Sequence, residues 1–355
     1  MRITVVLPFV NLTGGIRQVL DYANWLHDAG HAVTVVYPTW PYRFHFGWRD
    51  QLDVCRRQMF TAARIAWFDL RCPLRRVPLI ASVFLPRADL VIAVSWPVAH
   101  SVARLDRARG GKVYLVFHHE SGTGPEARIT SSYALPFYRL SFAQSVRDLM
   151  QRRFGCTIHQ LVPASVDPRR FFPDGVRGGR TVLMLHHPDP RKGAADGVEA
   201  LTMLRARLPD IDVVMCGTVR PIGLPAWVRF EFHPDDARLR RLYSASTVLL
   251  YPSRYEGFGL PPLEAMSCGC PVVTTAVGAV PEFAVHEQNA LVVAPCDAQG
   301  MADALERLLG DYELQDRLAR GGLKTSADYA LMRGARRFEE ALSACSERGV
   351  KNSRV

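Results

Sequence analysis

The sequence predicts an α/β fold made of two Rossmann-like domains. Short runs of apolar, often β-branched residues alternate with segments that carry apolar residues at helical spacing, a pattern typical of βα units around parallel sheets. The length of 355 residues suits two domains of ordinary size. Residues 163–179 are rich in proline, glycine and charge, and this stretch indicates a domain boundary near the middle of the chain.

In the first half, apolar residues at helical spacing (Val19, Leu20, Ala23 and Leu26) predict a helix over residues 16–29. Gly30 follows and is expected to end that helix. The predicted strands on either side of this helix and beyond it cover residues 3–7, 32–37, 90–94, 113–117 and 159–162.

In the second half, strands are predicted at residues 181–185, 213–216, 228–232, 248–251, 272–275 and 291–293. Helices are predicted at residues 194–208, 237–245, 262–267 and 301–309, and a final long helix at 329–346. We therefore expect an N-terminal domain at residues 1–168, a second domain at 169–328 and a C-terminal helical segment at 329–355.

The composition is that of a globular protein, with 48% hydrophobic and 22% charged residues. No apolar run reaches the roughly 20 residues that a membrane-spanning helix requires. Residues 2–7 resemble a strand and lack the pattern of a signal peptide, so we expect a cytoplasmic protein. The eight cysteines include no Cys-x-x-Cys pair, and we expect them to be reduced.

Positive charge is concentrated in the first half of the chain. Residues 1–168 contain 20 Lys or Arg and 11 Asp or Glu, whereas the remaining residues contain 24 and 23. This excess suggests an anionic partner: a membrane surface, a phosphorylated acceptor or nucleic acid. Residues 56–87 mix seven arginines with aromatic and aliphatic residues, which fits an interfacial helix or, equally, a surface helix packed on the sheet. No RNA-binding motif is present, so we expect no nucleic acid, and a peripheral position on the inner face of the cell membrane is one expected location.

The stretch 251–265 is the most informative for function, because it follows a predicted strand and leads into a helix. Its glycines let the backbone approach a ligand closely, and the free N–H groups at a helix start attract phosphate or sugar oxygens. Glu256 in the loop and Glu264 in the first helical turns are placed to accept hydrogen bonds from vicinal hydroxyls. This arrangement predicts a polyhydroxylated, phosphorylated ligand. The alternative is that Glu264 only complements the helix dipole and Glu256 is a solvated loop residue.

The same stretch resembles the Glu-x7-Glu signature of family 4 glycosyltransferases, and the similarity continues through residues 268–274, 278, 281–282 and 289–293. These are retaining enzymes of the GT-B fold, in which two Rossmann-like domains face each other across a cleft. The resemblance implies that Glu256 contacts the donor sugar and that Glu264 binds the nucleotide ribose. It also implies that the amides of four residues face the sugar and the diphosphate: Gly257, Phe258, Gly259 and Leu260.

Two further loops resemble family features that contact the diphosphate. Gly14 and Gly15 lie between the first strand and the first helix, as in the Gly-Gly loop of the family; a plain glycine turn is the alternative. Arg191 and Lys192 follow the first strand of the second domain, where positive charge stabilises a departing diphosphate. The family usually has a Gly-Arg pair upstream of this lysine, but this sequence has Leu-His at 185–186.

A histidine pair follows the predicted strand at 113–117. The family places a histidine near the donor sugar at this point, and His118 fits that position best, with His119 as the alternative. Strand C-terminal ends border the ligand crevice in open α/β sheets, which is consistent with this role.

No clustered ligands predict a metal site. Asp210 and Asp212 form an Asp-x-Asp pair, but they precede a predicted strand and are interpreted as a solvated turn. The family resembled requires no metal, so we expect no metal and no cofactor, with a nucleotide-diphosphate sugar as co-substrate.

The resemblance implies retaining transfer of a hexosyl residue, with mannose or rhamnose expected, to a carbohydrate or lipid-linked acceptor in cell-surface glycan or polysaccharide biosynthesis. A sugar-nucleotide epimerase of the same fold and a non-catalytic sugar-nucleotide-binding protein stay as alternatives. A Rossmann oxidoreductase is disfavoured because the Gly-x-Gly-x-x-Gly fingerprint is missing.

Overall fold

The chain forms two compact units in a computed structural model that describes residues 1–40, 42 and 63–352, with side chains described to residue 347. The first unit comprises Met1–Pro163 and Gly334–Val355, and the second comprises Ala164–Arg333. The sequence places the corresponding boundaries after residues 168 and 328. Within the described ranges, no helix has both the length and the apolar character needed to cross a membrane.

The first unit is built on a parallel sheet. Its described residues form seven strands in the order β3-β2-β1-β4-β5-β6-β7. The strand order reverses beside β1, which is the point where open α/β sheets place a ligand crevice. The strands are β1 (Arg2–Val6), β2 (Ala32–Pro38), β3 (Leu74–Val77), β4 (Leu90–Val94), β5 (Gly111–Val116), β6 (Tyr138–Ser141) and β7 (Gln160–Leu161).

Helices follow the strands of this sheet, and the first illustrates how the sequence specifies them. Helix α1 (Gly14–Asp28) begins after Thr13, whose hydroxyl accepts a hydrogen bond from the Ile16 amide at 3.2 Å. Its apolar stripe is fully buried on the sheet, as the residues Val19, Leu20 and Leu26 show. The later helices of this part are α2 (Trp96–Ala103), α3 (Glu126–Ser132) and α4 (Gln144–Phe154).

The second unit repeats the architecture. Its strands pair in parallel in the order β10-β9-β8-β11-β12-β13. Buried Val, Met and Leu side chains fill the space between the sheet and its helices, because strands covered on both faces are apolar along their length. The strands are β8 (Thr181–His186), β9 (Asp212–Gly217), β10 (Val228–Phe232), β11 (Val248–Tyr251), β12 (Val272–Thr275) and β13 (Leu291–Val293).

The helices of the second unit connect these strands and cover both faces of the sheet. Among them, α5 packs closely at Gly197, where a Cβ would collide with the sulfur of Met184. The helices are α5 (Ala194–Arg207), α6 (Asp236–Ala245), α7 (Leu260–Ser267), α8 (Val280–Phe283), α9 (Ala298–Gly310) and α10 (Tyr312–Asp328).

The last helix, α11 (Leu331–Asn352), begins in the second unit and continues as part of the first. Its Phe338 stacks on Tyr22 of α1, with 5.0 Å between ring centroids. Its Glu339 accepts a hydrogen bond from the Trp25 indole at 3.3 Å and lies 2.9 Å from the His31 imidazole. The final helix predicted from sequence therefore exists, and it completes a buried face of α1.

The predicted strands are all present with small shifts at their ends, but the sequence pattern missed several elements. The missed strands and α-helices are β3, β6, α2, α3, α4, α8 and α10. In β3 and β6, arginines interrupt the apolar pattern, so four-residue strands do not stand out. In α4 and α10, polar residues dominate, and the apolar stripe that holds the helix is narrow.

The arginine-rich segment 56–87 differs from expectation where it is described. Residues 56–62 lie outside the described residues, whereas residues 63–87 contain strand β3 and no helix, so the prediction of a helix is wrong there. This part is held by side-chain contacts: the Trp67 indole donates to the Val10 carbonyl at 2.9 Å, and Arg71 forms an ion pair with Asp28.

Candidate functional site

Two loops meet at the carboxyl edge of the second sheet. Strands β8 and β11 are neighbours, so the segments that follow them emerge side by side. The Arg191 carbonyl accepts hydrogen bonds from the amides of Arg254 at 2.8 Å and Tyr255 at 3.1 Å, which joins the two loops. A Cβ on Gly193 would collide with the carbonyl oxygen of Pro252, so this close approach requires glycine.

This junction brings Lys192 onto Glu256. The Lys192 ammonium lies 2.8 Å from Oε1 and 2.9 Å from Oε2 of the Glu256 carboxylate. Glu256 is 8% exposed, so it is not the solvated loop residue that the alternative interpretation described. Oε1 also accepts hydrogen bonds from the Tyr251 hydroxyl at 2.5 Å and the Ser253 hydroxyl at 2.6 Å. The structure thus joins two residues that the sequence placed in separate motifs.

The loop after Glu256 leads directly into helix α7, which begins at Leu260. Gly259 precedes the helix with φ of 86°, a conformation that favours glycine, and prolines occupy its first turn. A Cβ on Gly278 would collide with the Glu256 carbonyl, so the next loop also packs tightly here. The N–H groups of this helix start are unsatisfied within the helix, which makes them suited to bind an anion.

Glu264 lies within α7, four residues past its first residue, and is partly exposed. Its Oε2 accepts a hydrogen bond from the Tyr243 hydroxyl at 3.1 Å. Tyr243 is fully buried on α6, so it supports the carboxylate from below the surface. Both glutamates of the predicted pair therefore lie on the same edge of the sheet.

Two cations, Lys192 and Arg191, lie at this edge, and each is paired with a carboxylate. Arg191 is held by Asp189, with 2.7 Å between Nη2 and Oδ2, so part of its hydrogen-bonding capacity is already used. Burial lowers the pKa of His186 and of His187, and the nearby Lys192 lowers that of His187 further. The lowered pKa values favour the neutral form of both imidazoles.

In the first unit, the predicted residues lie on the corresponding edge of its sheet. Gly14 and Gly15 begin α1, and a Cβ on Gly15 would lie 3.5 Å from the Phe117 ring that follows β5. His119 is buried: its imidazole lies 2.9 Å from Glu126 and 3.1 Å from the Tyr133 hydroxyl.

His118 differs from its neighbour because it is partly exposed. Because His119 is buried, His118 is the better candidate for contact with a ligand. Its role, like those of Gly14 and Gly15, stays a prediction.

Both aspartates of the Asp-x-Asp pair form ion pairs on the surface. Asp210 pairs with Arg180 at 2.9 Å, and Asp212 pairs with Arg229 at 2.8 Å, both on the surface. Within the described part of the chain, no group of three or more His, Cys, Asp or Glu side chains is arranged to hold a metal ion.

Sequence reasoning missed the residues that support the two glutamates. Tyr251 and Ser253 stand in the signature stretch itself, five and three residues before Glu256, where they end the strand and begin the loop. Tyr243 carries no comparable signal, because only the tertiary packing of α6 against α7 brings it to Glu264. The general clue for Tyr243 is that a buried tyrosine hydroxyl needs a hydrogen-bond partner.

Comparisons with known proteins show which proteins this chain resembles. A model of the family described as glycosyl transferases group 1 matches residues 174–325, most of the second unit. A phosphatidyl-myo-inositol mannosyltransferase from Mycolicibacterium smegmatis is 28% identical over 89% of this chain and 86% of its own length. An O-antigen chain mannosyltransferase B from Escherichia coli is 37% identical over 38% of each chain.

Solved structures share the fold of the whole chain. A sucrose-phosphate synthase from Thermosynechococcus elongatus superposes with a TM-score of 0.77 over 97% of this chain and 98% of its own, at 18% identity. HepE from Anabaena, solved in complex with UDP-glucose, gives 0.75 over 97% of this chain and all of its own, at 17% identity. The fold is GT-B, and residues 174–325 match the family described as glycosyl transferases group 1.

Proposed function

We propose that this protein is a retaining hexosyltransferase that uses a nucleotide-diphosphate sugar. The observation that carries the proposal is the Lys192–Glu256 pair beside the glycine-rich start of α7. A cation and free backbone amides suit the diphosphate, and a buried carboxylate suits the hydroxyls of the sugar. The donor-site residues proposed in the second unit are Lys192, Arg191, Glu256, Gly257, Phe258, Gly259, Leu260 and Glu264. In the first unit, Gly14, Gly15 and His118 stay separate predictions from the family resemblance.

The transferred sugar is proposed to be mannose, with rhamnose as the second choice. Support comes from relatives whose names specify mannosyl transfer, including a lipopolysaccharide core mannosyltransferase from Rhizobium meliloti that is 40% identical over 30% of this chain. A carbohydrate or lipid-linked acceptor in glycan or polysaccharide biosynthesis fits the same names.

The proposed reaction breaks the bond between the anomeric carbon and the diphosphate oxygen. The acceptor hydroxyl forms the new bond on the same face of the sugar, and its proton passes to the departing diphosphate, so the α configuration is retained. Lys192 and the amides after Glu256 stabilise the charge that develops on the leaving group. No bound metal or cofactor is part of this proposal.

The experiment is incubation with a panel of GDP- and UDP-sugars, with mass detection of nucleotide release and transfer. NMR of the product then gives the anomeric configuration. Retention with activity that survives EDTA supports the proposal. Inversion of the anomeric centre, or a manganese requirement, contradicts the mechanism. Epimerisation of the sugar nucleotide without transfer favours the epimerase alternative, and binding without turnover favours the non-catalytic one.

We further propose that the first unit binds an anionic membrane surface. The loop after β3 exposes Leu79 (53%), Val83 (78%) and Phe84 (39%) beside the exposed arginines Arg75 and Arg87. Apolar side chains among arginines suit the interface of an anionic bilayer. Pelleting with anionic but not neutral vesicles, and its loss on replacing Leu79, Val83 and Phe84 with serine, is the expected result. Failure of the wild-type protein to pellet at low salt excludes this proposal and a peripheral location.

A further inference from the structure

Each carboxylate of the predicted donor site rests on a buried tyrosine hydroxyl. Tyr251 donates to Oε1 of Glu256 at 2.5 Å, and Tyr243 donates to Oε2 of Glu264 at 3.1 Å. The two tyrosines are 6% and 0% exposed, so neither hydroxyl is available to a large ligand from solvent. Because they sit on different elements, at the end of β11 and on α6, the two supports are structurally separate.

The contacts on Glu256 are distributed unequally between its oxygens. Oε1 accepts from Tyr251, from Ser253 and from Lys192, whereas Oε2 is contacted by Lys192 at 2.9 Å. A carboxylate oxygen has two lone-pair directions, so Oε1 is saturated and Oε2 keeps acceptor capacity. The tyrosine and the serine therefore decide which oxygen faces an incoming hydroxyl.

Both tyrosines act as donors throughout the neutral range. Burial and the adjacent carboxylate raise the pKa of Tyr251 well above its usual value, and the same two causes raise the pKa of Tyr243. A phenol that keeps its proton gives a fixed hydrogen bond of constant direction. Such a bond orients a functional side chain without touching the ligand.

We propose that Tyr251 and Tyr243 are positioning residues with separate tasks in this site. Tyr251 orients Glu256 for the transferring sugar, and Tyr243 orients Glu264 for the nucleotide. The inference rests on the proposed function, since it assigns each tyrosine to the ligand group of its glutamate. It adds residues that lie beneath the site and that the Glu-x7-Glu spacing does not include.

The test removes each hydroxyl alone, with Tyr251→Phe and Tyr243→Phe, and uses the exposed Tyr312→Phe as a matched control. Calorimetry measures the Kd of UDP and of GDP, and steady-state assays measure kcat and KM with UDP-glucose and GDP-mannose. We expect Tyr243→Phe to raise the Kd of the preferred nucleotide about tenfold, because a less ordered carboxylate binds less tightly. We expect Tyr251→Phe to lower kcat about tenfold and to leave the nucleotide Kd unchanged, because its glutamate faces the sugar.

A purely structural role gives a different pattern. It lowers the melting temperature of both variants without dividing their effects between nucleotide affinity and turnover. Equal changes in both variants, or no change in either, overturn the inference.

The isosteric variants Glu256→Gln and Glu264→Gln separate this inference from the proposed function. If they alter turnover and nucleotide affinity while the phenylalanine variants do not, only the positioning inference fails. If the glutamine variants have no effect, or if the wild-type protein neither binds nucleotides nor uses these donors, the proposed function fails and the inference fails with it.

Discussion

Two carboxylates follow parallel strands in the two units, and they have opposite surroundings. Glu120, after β5, accepts a hydrogen bond from the Trp96 amide at 2.9 Å and another from the Tyr114 hydroxyl. These are neutral donors, and burial raises the pKa of Glu120 to about 7. Glu256, after β11, is buried, and it is paired with the Lys192 ammonium.

The difference shows that position at a strand end does not decide the chemistry of a carboxylate. Both sheets place polar residues at the same edge, as open α/β sheets do. Beside Glu256, the Lys192 cation forms a charge pair. In the proposed function, the diphosphate contacts the cation and the sugar hydroxyls contact the carboxylate. Neutral donors beside Glu120 leave a group that holds or releases a proton near neutral pH.

The largest effect is expected when the charge pair is removed. Lys192→Met should lower kcat/KM by about 10²–10³, because it removes the cation that pairs with Glu256 near the departing diphosphate. Arg191→Gln is the matched control, and its effect should be several-fold smaller, since that guanidinium pairs with Asp189 and not with the site carboxylate Glu256. Steady-state kinetics on both variants checks this prediction. Equal losses of kcat/KM would show that Lys192 contributes no more than Arg191.

A second comparison uses one glycine from each unit with similar backbone geometry. Gly193 has φ of 65° and Gly155 has φ of 58°, but only Gly193 has a neighbour, the Pro252 carbonyl, in the space of a Cβ. Gly155→Ala should cost about 1 kcal/mol from backbone strain alone, whereas Gly193→Ala should cost about 3 kcal/mol and reduce activity. Chemical denaturation measures both values. Equal values would mean that the two loops of the site do not need their close approach.

The smallest effect concerns the carboxylate of the first unit. Between about pH 4.5 and 7, the folded protein keeps a proton on Glu120 that the unfolded chain releases, so this residue's contribution to stability falls as pH rises. Glu120→Gln should remove that dependence. The free energy of unfolding of the variant, relative to that of the wild type, should therefore rise by about 1–3 kcal/mol from about pH 5 to pH 8. Urea denaturation at both pH values measures it, with the exposed Glu313→Gln as control. A parallel response of variant and wild type would contradict the raised pKa.

Much of the fold could be predicted because its strands are buried on both faces and so consist of apolar runs. The strand at 248–251 is an example, since four buried residues stand between polar neighbours. The short strand β6 could not be predicted, because Tyr138 and Arg139 hide its pattern until neighbouring strands define it. Propensity is a weak signal where three-dimensional pairing selects the structure.

The residues of the site could be named from sequence, but their mutual arrangement could not. Glu256 and Lys192 lie 64 positions apart, and only the adjacency of β8 and β11 brings them together. The support of Glu264 by Tyr243 depends likewise on how two helices pack. The prediction of a helix in the arginine-rich segment failed because a mixture of charged and aromatic residues also occurs in loops. Such loops pack through single contacts, such as that of Trp67 with Val10.

The last helix has a consequence for how the protein is made. During synthesis, residues 164–333 leave the ribosome before residues 334–352 do, so the second unit can fold while the first still lacks the partners of Tyr22 and Trp25. Until residues 334–352 emerge, an aromatic face of α1 stays open to water and to other chains. A nascent chain halted before that point would hold one finished unit and one exposed, aggregation-prone unit. Completion of the first unit therefore waits for translation of residues 334–352, which follow the whole second unit.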